Sequence, residues 1–576
     1  MKMLFKYLHS LLILVFIIFT FVSHSFGSTN FITRDLSLNR SNVPKNILVA
    51  SFFGGTHLPP VLEICKILKA RGYNITVVAQ GNYTAQSFSY SSFPQVIIDN
   101  KDFITPDLVI EERINNLKFN RLGLFRYLKK LSISSYVPVY NTYKKVAEEI
   151  KPDLFFCDHF VNNPCYDLAW KLGKPVVGTT VALSLLSISP YKTDPLLGCP
   201  INMENENFYS RFKCKILSPL QSIWIVLTTV RDLNIQRAKV GVEPHWDPKG
   251  RISNILMLFD TFFGFEVPSA ESPLYQEIGP ILPDTYPGLT PSLDSFLNDH
   301  PRTLYFAIGT VVLLSPQSTS ILLKSFLELI DLDIIDGVIW ATTRMNTSEL
   351  LSLNNSDIPI SQILNNNHPH IHITKHAPQF AILSHKNTKI FLNHGGASSC
   401  HESIYNAKPM LILPSCCDQF GNAEKLELAG MALKISKDDL NVNDIISKIK
   451  RLLNDESFKL NAERLQFSSK LNSKRKYRGA DLIEIILNNA MYDGVKDENG
   501  KFKINNENFL KDWITPDIKM GFIKGNYLDV YFVAIILFLI LFCVFTFTSF
   551  NLTKYFCILY INGNINFKNY LKFKKE

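Results

Sequence analysis

Short apolar runs rich in Val, Ile and Phe alternate along this chain with amphipathic stretches, the pattern of βαβ units wound around a parallel sheet. Asn46 to Ser51 reads as a buried strand, Phe53 to Pro59 as a loop, Pro60 to Arg71 as a helix closed by Gly72, and Ile75 to Ala79 as the next strand. Proline in the first turn and glycine just past the last turn are the usual start and stop signals of a helix. A similar unit runs through a strand at Asp153 to Cys157, a helix ending at Leu172 and Gly173, and a strand at Pro175 to Gly178. Between Pro268 and Pro301 proline, serine and glycine accumulate, and an interdomain linker is expected there. A second series follows, with strands at Thr303 to Ile308, Gly337 to Ala341, Ile371 to Thr374, Lys389 to Leu392 and Met410 to Leu413, and helices at Ile321 to Leu329 and Asn441 to Leu453. The roughly 500 residues between the terminal apolar segments exceed what one hydrophobic core accommodates. The expected fold is therefore α/β, with two doubly wound Rossmann-like domains, 45–283 and 284–510, facing a cleft. Ligands of such sheets bind beyond the carboxyl ends of the strands.

The two ends change the picture. Residues 1–27 have the layout of a secretory signal peptide: Lys2 and Lys6, an apolar run from Leu11 to Val22, and a small-x-small site at Ser25-Phe26-Gly27. An uncleaved N-terminal anchor is the alternative. Residues 530–550, Val530 to Phe550, are apolar and uncharged, and about 20 such residues in a helix cross a bilayer core of about 30 Å. The tail, 551–576, holds Lys554, Lys568, Lys572, Lys574 and Lys575 against Glu576 alone. Such an excess of positive charge belongs on the cytoplasmic side, which implies a type I membrane protein with both domains lumenal. Lys572 and Lys574 resemble the lysine-based retrieval signal of endoplasmic-reticulum membrane proteins; a plain positive-inside flank is the other reading. Sequons at Asn39, Asn74, Asn82, Asn346 and Asn354 suit a lumenal glycoprotein. The net charge of +9 is spread along the chain and concentrated in no patch of the kind that nucleic acid requires. Cys199 and Cys214 bracket a polar loop and are candidates for a disulfide in an oxidising compartment. No cysteine, histidine or carboxylate cluster has metal-ligand spacing, so no metal is expected.

The most informative segment is His376 to Gln419, HAPQFAILSHKNTKIFLNHGGASSCHESIYNAKPMLILPSCCDQ. A strand ends at Leu392, and the pair Gly395-Gly396 lets backbone approach a ligand closely. Ser398 or Ser399 then opens a helix, whose free N–H groups and positive dipole end form an anion site suited to a diphosphate. His394 stands at the strand end, placed to donate to phosphate oxygens.

With its A-P-Q tripeptide, H-G-G turn, Glu402 eight residues after the histidine, Pro409, Pro414 and the Asp418-Gln419 pair, the segment resembles the donor-binding signature of the UDP-glycosyltransferases, the family of UDP-glucuronosyltransferases and of plant and fungal glucosyltransferases. The resemblance runs from about Asn46 to the C-terminal span and is weakest at 85–150 and 182–268. It implies the two-domain glycosyltransferase B fold, with acceptor in the first domain and donor in the second. It also implies that Gln379 contacts the uridine, that His394, Gly395, Gly396, Ser398 and Ser399 hold the diphosphate with Gly309 and Thr310 beside them, that Glu402 accepts from the ribose hydroxyls, and that Asp418 and Gln419 hold sugar hydroxyls. His376 departs from the family, which usually has tryptophan stacked on the uracil there; the smaller imidazole face weakens that contact by about 0.5–1.5 kcal/mol. On its own spacing Glu402 with Ser399 also reads as a helix capping box, and His401 reads as a surface or supporting residue.

In the first domain the resemblance places the general base at His57, in FFGGTHLPP, and its orienting carboxylate at Asp158, at the end of DLFFCD. An acceptor hydroxyl is a poor nucleophile until its proton is removed, which a neutral imidazole does near pH 7, while the carboxylate stabilises the imidazolium. The Asp331-Leu332-Asp333 triplet has the form of a metal-binding D-x-D, but falls between a helix and a strand and reads as a solvated turn. The expected function is inverting, metal-independent transfer of glucose or glucuronate from a UDP-sugar to a hydroxyl of a small lipophilic acceptor such as a sterol, lipid or xenobiotic. The UDP-sugar is a co-substrate, and no cofactor is expected. The alternatives are a catalytically silent, membrane-bound binder of UDP-sugar or lipid, and a transferase acting on a lipid-linked carrier or a protein.

Overall fold

The computed structural model describes the chain from residue 37 to residue 562, apart from residues 39, 41–42, 88, 100, 102, 105–120, 182–190, 194–197, 248–249, 253, 311, 344–357, 497–501 and 506–508. The expected signal peptide, the tail lysines from Lys568 onward and the sequons at Asn39, Asn346 and Asn354 lie outside the described residues.

Continuous apolar runs become strands buried on both faces, as parallel sheets require. The first sheet holds β1 (Asn46–Ser51), β2 (Asn74–Gln80), β3 (Gln95–Ile98), β4 (Leu154–Asp158), β5 (Val176–Thr180), β6 (Leu256–Phe259) and β7 (Tyr275–Glu277). They run parallel in the order β3-β2-β1-β4-β5-β6-β7. Helices α1 (Leu58–Ala70), α2 (Arg121–Ile150), α3 (Asn163–Leu172) and α4 (Ser218–Lys239) belong to this domain. α1 carries Pro59 and Pro60 in its first turn and starts two residues before the expected Pro60.

The second sheet holds β8 (Thr303–Ala307), β9 (Gly337–Ala341), β10 (Ile371–Thr374), β11 (Thr388–Asn393), β12 (Met410–Ile412) and β13 (Ala432–Lys434), parallel in the order β10-β9-β8-β11-β12-β13. Around it lie α5 (Pro316–Asp331), α6 (Gln379–Ser384), α7 (Ala397–Tyr405), α8 (Gln419–Leu428), α9 (Val442–Asn454) and α10 (Glu456–Asn472). The proline-rich stretch expected as a linker also holds β7 and a helix at Pro291–Asp299. Tyr-Gln-Glu is short and half-buried, so β7 leaves no apolar signature. Asp331 ends α5 and Asp333 pairs with Arg302. The D-x-D therefore sits at the amino edge of the sheet, away from the strand ends that bind ligands.

Two devices hold the domains together. The chain leaving β6 sends Phe262 and Phe265 into an apolar cluster with Ile404, Met431 and Leu465 of the second domain. Beside them Glu266 is fully paired by Lys425, Nζ to Oε2 2.6 Å, inside the protein. Further along the chain α11 (Lys476–Asp493) returns to α1, where Gly479 lies against Ile64 and Ile278. Its buried Lys476 donates to Glu63 Oε2 (2.9 Å), Asp284 Oδ1 (2.6 Å) and the Leu282 carbonyl (2.9 Å). Three acceptors match the three ammonium donors, the condition under which a buried charge is tolerated. Beyond a short hairpin, β14 (Val495–Lys496) and β15 (Phe502–Lys503), the helix α12 (Leu528–Ile561) is apolar and exposed along its length. It is long and apolar enough to cross a membrane.

Replacing Lys476 by Ala leaves Glu63, which is 1% exposed, held only through Oε1 by Lys66 and Tyr90, with Oε2 unsatisfied. The expected cost is about 1–3 kcal/mol, read as a lower midpoint in urea unfolding. An unchanged midpoint would show that this contact does not clamp α11 to α1.

Candidate active site

Both sheets reverse their strand order at one place, between β1 and β4 in the first and between β8 and β11 in the second. A crevice opens at such a switch point, outside the strands' carboxyl ends. The site residues gather at these two places.

In the first domain Ala50 pairs with Cys157, so Ser51 and Asp158 leave neighbouring strand ends together. Ser51 Oγ donates to Asp158 Oδ2 at 3.1 Å, and the Phe160 N–H reaches Oδ1 at 3.4 Å. The chain after β1 forms a short turn, Gly55–His57, which leads into α1 and brings the imidazole back over the carboxylate. His57 Nδ1 lies 3.3 Å from Asp158 Oδ2 and 3.5 Å from Oδ1. The imidazole is 30% exposed and the carboxylate 4%. Phe160 stacks on the imidazole, and Phe53 lies on its border, with ring centres 5.7 and 5.9 Å away. Burial lowers the His57 pKa, but the Asp158 charge and hydrogen bond, helped by Asp418, outweigh it and leave the group above its ordinary 6.5. Asn162 braces the strand ends by donating to the carbonyls of Ala50 and Asp158, both at 3.0 Å, while its own oxygen accepts from Tyr143.

In the second domain Ala307 pairs with Asn393, and Asn393 with Ile412. Three adjacent strand ends therefore deliver Gly309, His394 and the turn before Asp418 to one place. The His394 ring lies between two glycines: a methyl group at Gly309 would stand 2.6 Å from the ring, and one at Gly396 2.4 Å. Gly309 also has φ +71°, and Gly395 φ +85°, conformations that favour glycine. Burial drives the His394 pKa down to about 4, so the ring is neutral and its unpartnered Nδ1 is free for a ligand. Helix α7 begins at Ala397, with Gly396 at its cap, rather than at Ser398 or Ser399. Its first turn carries no acidic residue and its cap residue makes no side-chain hydrogen bond. Asp418 accepts from the Ala397 N–H, so one amide of this helix start already holds a carboxylate, as such amides favour.

Gln379, at the start of α6, donates to Glu402 Oε2 (3.0 Å) and Ser399 Oγ (3.3 Å), and accepts from Tyr305 at 3.4 Å. Glu402 is thus tied to Gln379 and not to the helix start, so the capping-box reading fails. Burial raises the Glu402 pKa to about 7, against the opposing Gln379 hydrogen bond. Burial likewise raises the Asp418 carboxyl above its ordinary range, and the facing His57 opposes that rise. The electrostatic contact between His57 and Asp418 spans the cleft and joins the two half-sites.

Three expected residues stand apart from this network. Gln419 turns its oxygen back onto the amides of Ser415 and Cys416 (2.8 and 3.0 Å), which makes it a brace of its own loop. His376 and Thr310 are exposed on loops after β10 and β8. His401, read as a surface or supporting residue, is 1% exposed. It lies between Phe262 and Phe265, with Nδ1 3.5 Å from Asp260. Ser51, Asn162, Tyr143 and Phe160 were not singled out by the sequence, since each acts through a contact made across strands. No group of three metal-ligating side chains occurs among the described residues.

The fold has solved counterparts. It is similar to the glycotransferase of kitacinnamycin, with TM-score 0.53 at 18% identity over 77% of this chain and 99% of that one. It is also similar to a UDP-glucosyltransferase from Polygonum tinctorium, with TM-score 0.52 at 18% identity over 78% of this chain and all of that one. These likenesses establish the fold, the B fold of glycosyltransferases. At the level of sequence, residues 247–479 match the model of the family described as UDP-glucoronosyl and UDP-glucosyl transferase. A UDP-glycosyltransferase of Talaromyces amestolkiae is 29% identical over 87% of this chain and 97% of its own length. The chain is similar to the UDP-glycosyltransferases, enzymes that use a UDP-sugar as donor, and these matches support a glycosyltransferase activity.

Replacing Gly309 by Ala imposes a strained φ and drives a methyl group into His394. Backbone strain of about 1–2 kcal/mol and the displaced ring together predict UDP binding weakened by about tenfold or more, measured by calorimetry. Unchanged affinity in a folded variant would remove His394 and Gly309 from the donor site.

Proposed function

We propose that the enzyme transfers a hexosyl group, glucose or glucuronate, from the UDP-sugar to a hydroxyl of a small lipophilic acceptor, with inversion and without a metal. The observation that carries this reading is the His57–Asp158 contact at the carboxyl end of the first sheet, facing Asp418 of the second. With Nδ1 engaged by Asp158, Nε2 is the nitrogen left to take the acceptor proton. The acceptor oxygen then bonds to the anomeric carbon as the carbon–oxygen bond to the diphosphate breaks, its electron pair leaving with UDP. Negative charge grows on the diphosphate, where neutral His394, Ser398, Ser399 and the amides of α7 supply fixed dipoles. Gln379 and Glu402 would hold the uridine and ribose, and Asp418 a sugar hydroxyl close to the base. Phe53 and Phe160 give the acceptor side an apolar lining, which supports a lipophilic acceptor.

The same reading places the protein as a type I membrane protein of the endoplasmic reticulum, with both domains lumenal. Two disulfides, Cys157–Cys165 and Cys199–Cys214, suit that oxidising compartment. The second was a candidate from sequence and the first was not.

UDP release from UDP-glucose and UDP-glucuronate against a panel of hydroxylated lipophiles, with chelator present, tests the proposal. Turnover should survive the chelator and fall by about 10²- to 10⁴-fold in His57→Ala. UDP binding without release for any acceptor would leave only a binder, and loss of activity to the chelator would overturn the metal-free mechanism.

The base must be neutral to act, and its pKa is raised. The acid limb of kcat/KM should therefore lie above pH 6.5, with activity lost as pH falls through it. Asp158→Asn removes the charge that raises this pKa, so the limb should move to lower pH while kcat drops. A limb that stays in place in Asp158→Asn would mean that His57 is not the titrating base.

A further inference from the structure

The helical run formed by Phe208–Phe212, Lys213–Leu217 and α4 packs one side against the first domain and leaves the other in solvent. Ser222, Val230, Leu233 and Arg237 face inward. Phe212, Ile216, Leu220, Ile223, Trp224 and Leu227 follow one another at helical spacing on the exposed side, with Trp224 73% and Leu220 56% exposed. Such a stripe is larger than the scattered apolar residues of an ordinary surface and marks an interaction site.

Two observations identify what covers it. The first is composition. Between Asn207 and Val230 there is no acidic residue, while Arg211 and Lys213 stand exposed beside the stripe. Apolar residues with tryptophan and tyrosine, flanked by arginine and lysine, are the chemistry of a helix lying in the membrane interface. The second is position. The end of α4 is tied to the end of α3, where Lys171 Nζ donates to the Val240 carbonyl at 2.9 Å. The end of α3 in turn holds the chain on its way to the membrane: Ile504 N–H donates to the Gly173 carbonyl (2.8 Å), and Lys174 Nζ to the Phe502 carbonyl (2.7 Å). The C-terminal end of α4 and the stem of α12 thus meet the first domain at the same helix end, with only residues 505–527 between Ile504 and the spanning helix.

We propose that the exposed face of Phe208–Leu227 docks on the bilayer that α12 crosses, as an interfacial helix with Trp224 at acyl-chain level and Arg211 and Lys213 against anionic headgroups. The acceptor domain is then held on the membrane at two points, the span and this helix. The Cys199–Cys214 disulfide ties the start of the run to the loop before it, and Lys215 is occupied by the Lys192 carbonyl, so the element is braced on its protein side.

The test uses the full-length protein reconstituted in phosphatidylcholine–phosphatidylserine vesicles, with part of the phosphatidylcholine brominated in its acyl chains as a short-range tryptophan quencher. The protein should lose fluorescence to the brominated lipid, and Trp224→Phe should abolish most of that loss while leaving turnover unchanged. A second variant, Leu220→Glu with Leu227→Glu, should suppress the quenching with Trp224 still present. Equal quenching in the protein and in Trp224→Phe would overturn the proposal. So would a Trp224 that is shielded only at high protein-to-lipid ratio, which would mean that a second copy of the chain covers the face.

Discussion

Everything chemical in this enzyme depends on one mechanical constraint, that two separate parallel sheets present their carboxyl ends to the same crevice. Neither sheet holds a complete site. His57 lies in the turn after β1 and Asp158 ends β4 of the first, while His394, Glu402 and Asp418 belong to the second. The segment after β6 supplies the constraint: Phe262 and Phe265 enter the second domain's core, and Glu266 meets Lys425 there. Burial alone would raise the Glu266 pKa, yet Lys425 and Lys192 hold it below its ordinary range. A buried pair of this kind is worth less as stability than as registry, because only one docking of the domains satisfies both charges. Nearby, His401 Nδ1 lies 3.5 Å from Asp260 across the same docking, with burial holding the imidazole neutral.

Given that docking, the local chemistry follows from burial. The same loss of water that keeps His394 neutral raises the pKa of Glu402 and Asp418, so burial on the donor side works against negative charge. Such a pocket suits a ligand that brings a diphosphate with it and meets helix dipole, amides and neutral donors. His57 behaves differently because Asp158 sits beneath it, and this carboxylate holds its pKa up where burial drives that of His401 down.

How much of this was legible in the sequence depended on whether the signal was local. Strands β1, β9 and β10 fell where the apolar runs placed them; β1 and β9 are buried on both faces and have few polar positions to blur their ends. The H-G-G turn was legible because glycine is demanded by the close packing of His394. Contacts between distant segments were not. β7 is three residues of mixed polarity, and α11 looks like any amphipathic helix until Lys476 meets Glu63, far earlier in the chain. His401 stands next to a site glutamate and carries no local sign of burial; the residues that enclose it precede it by a whole domain. Glu402 had two readings at one spacing, and only its contact with Gln379 distinguished them.

The central claim is a single in-line displacement by a hydroxyl activated at His57. The configuration of the anomeric carbon in the product, read from proton NMR coupling constants after transfer from an α-linked UDP-sugar, tests it most directly. One displacement predicts a β-linked product from the first turnover onward. An α-linked product would require two displacements or a front-face path, and would contradict the pairing of His57 as base with Asp158 as its orienting carboxylate.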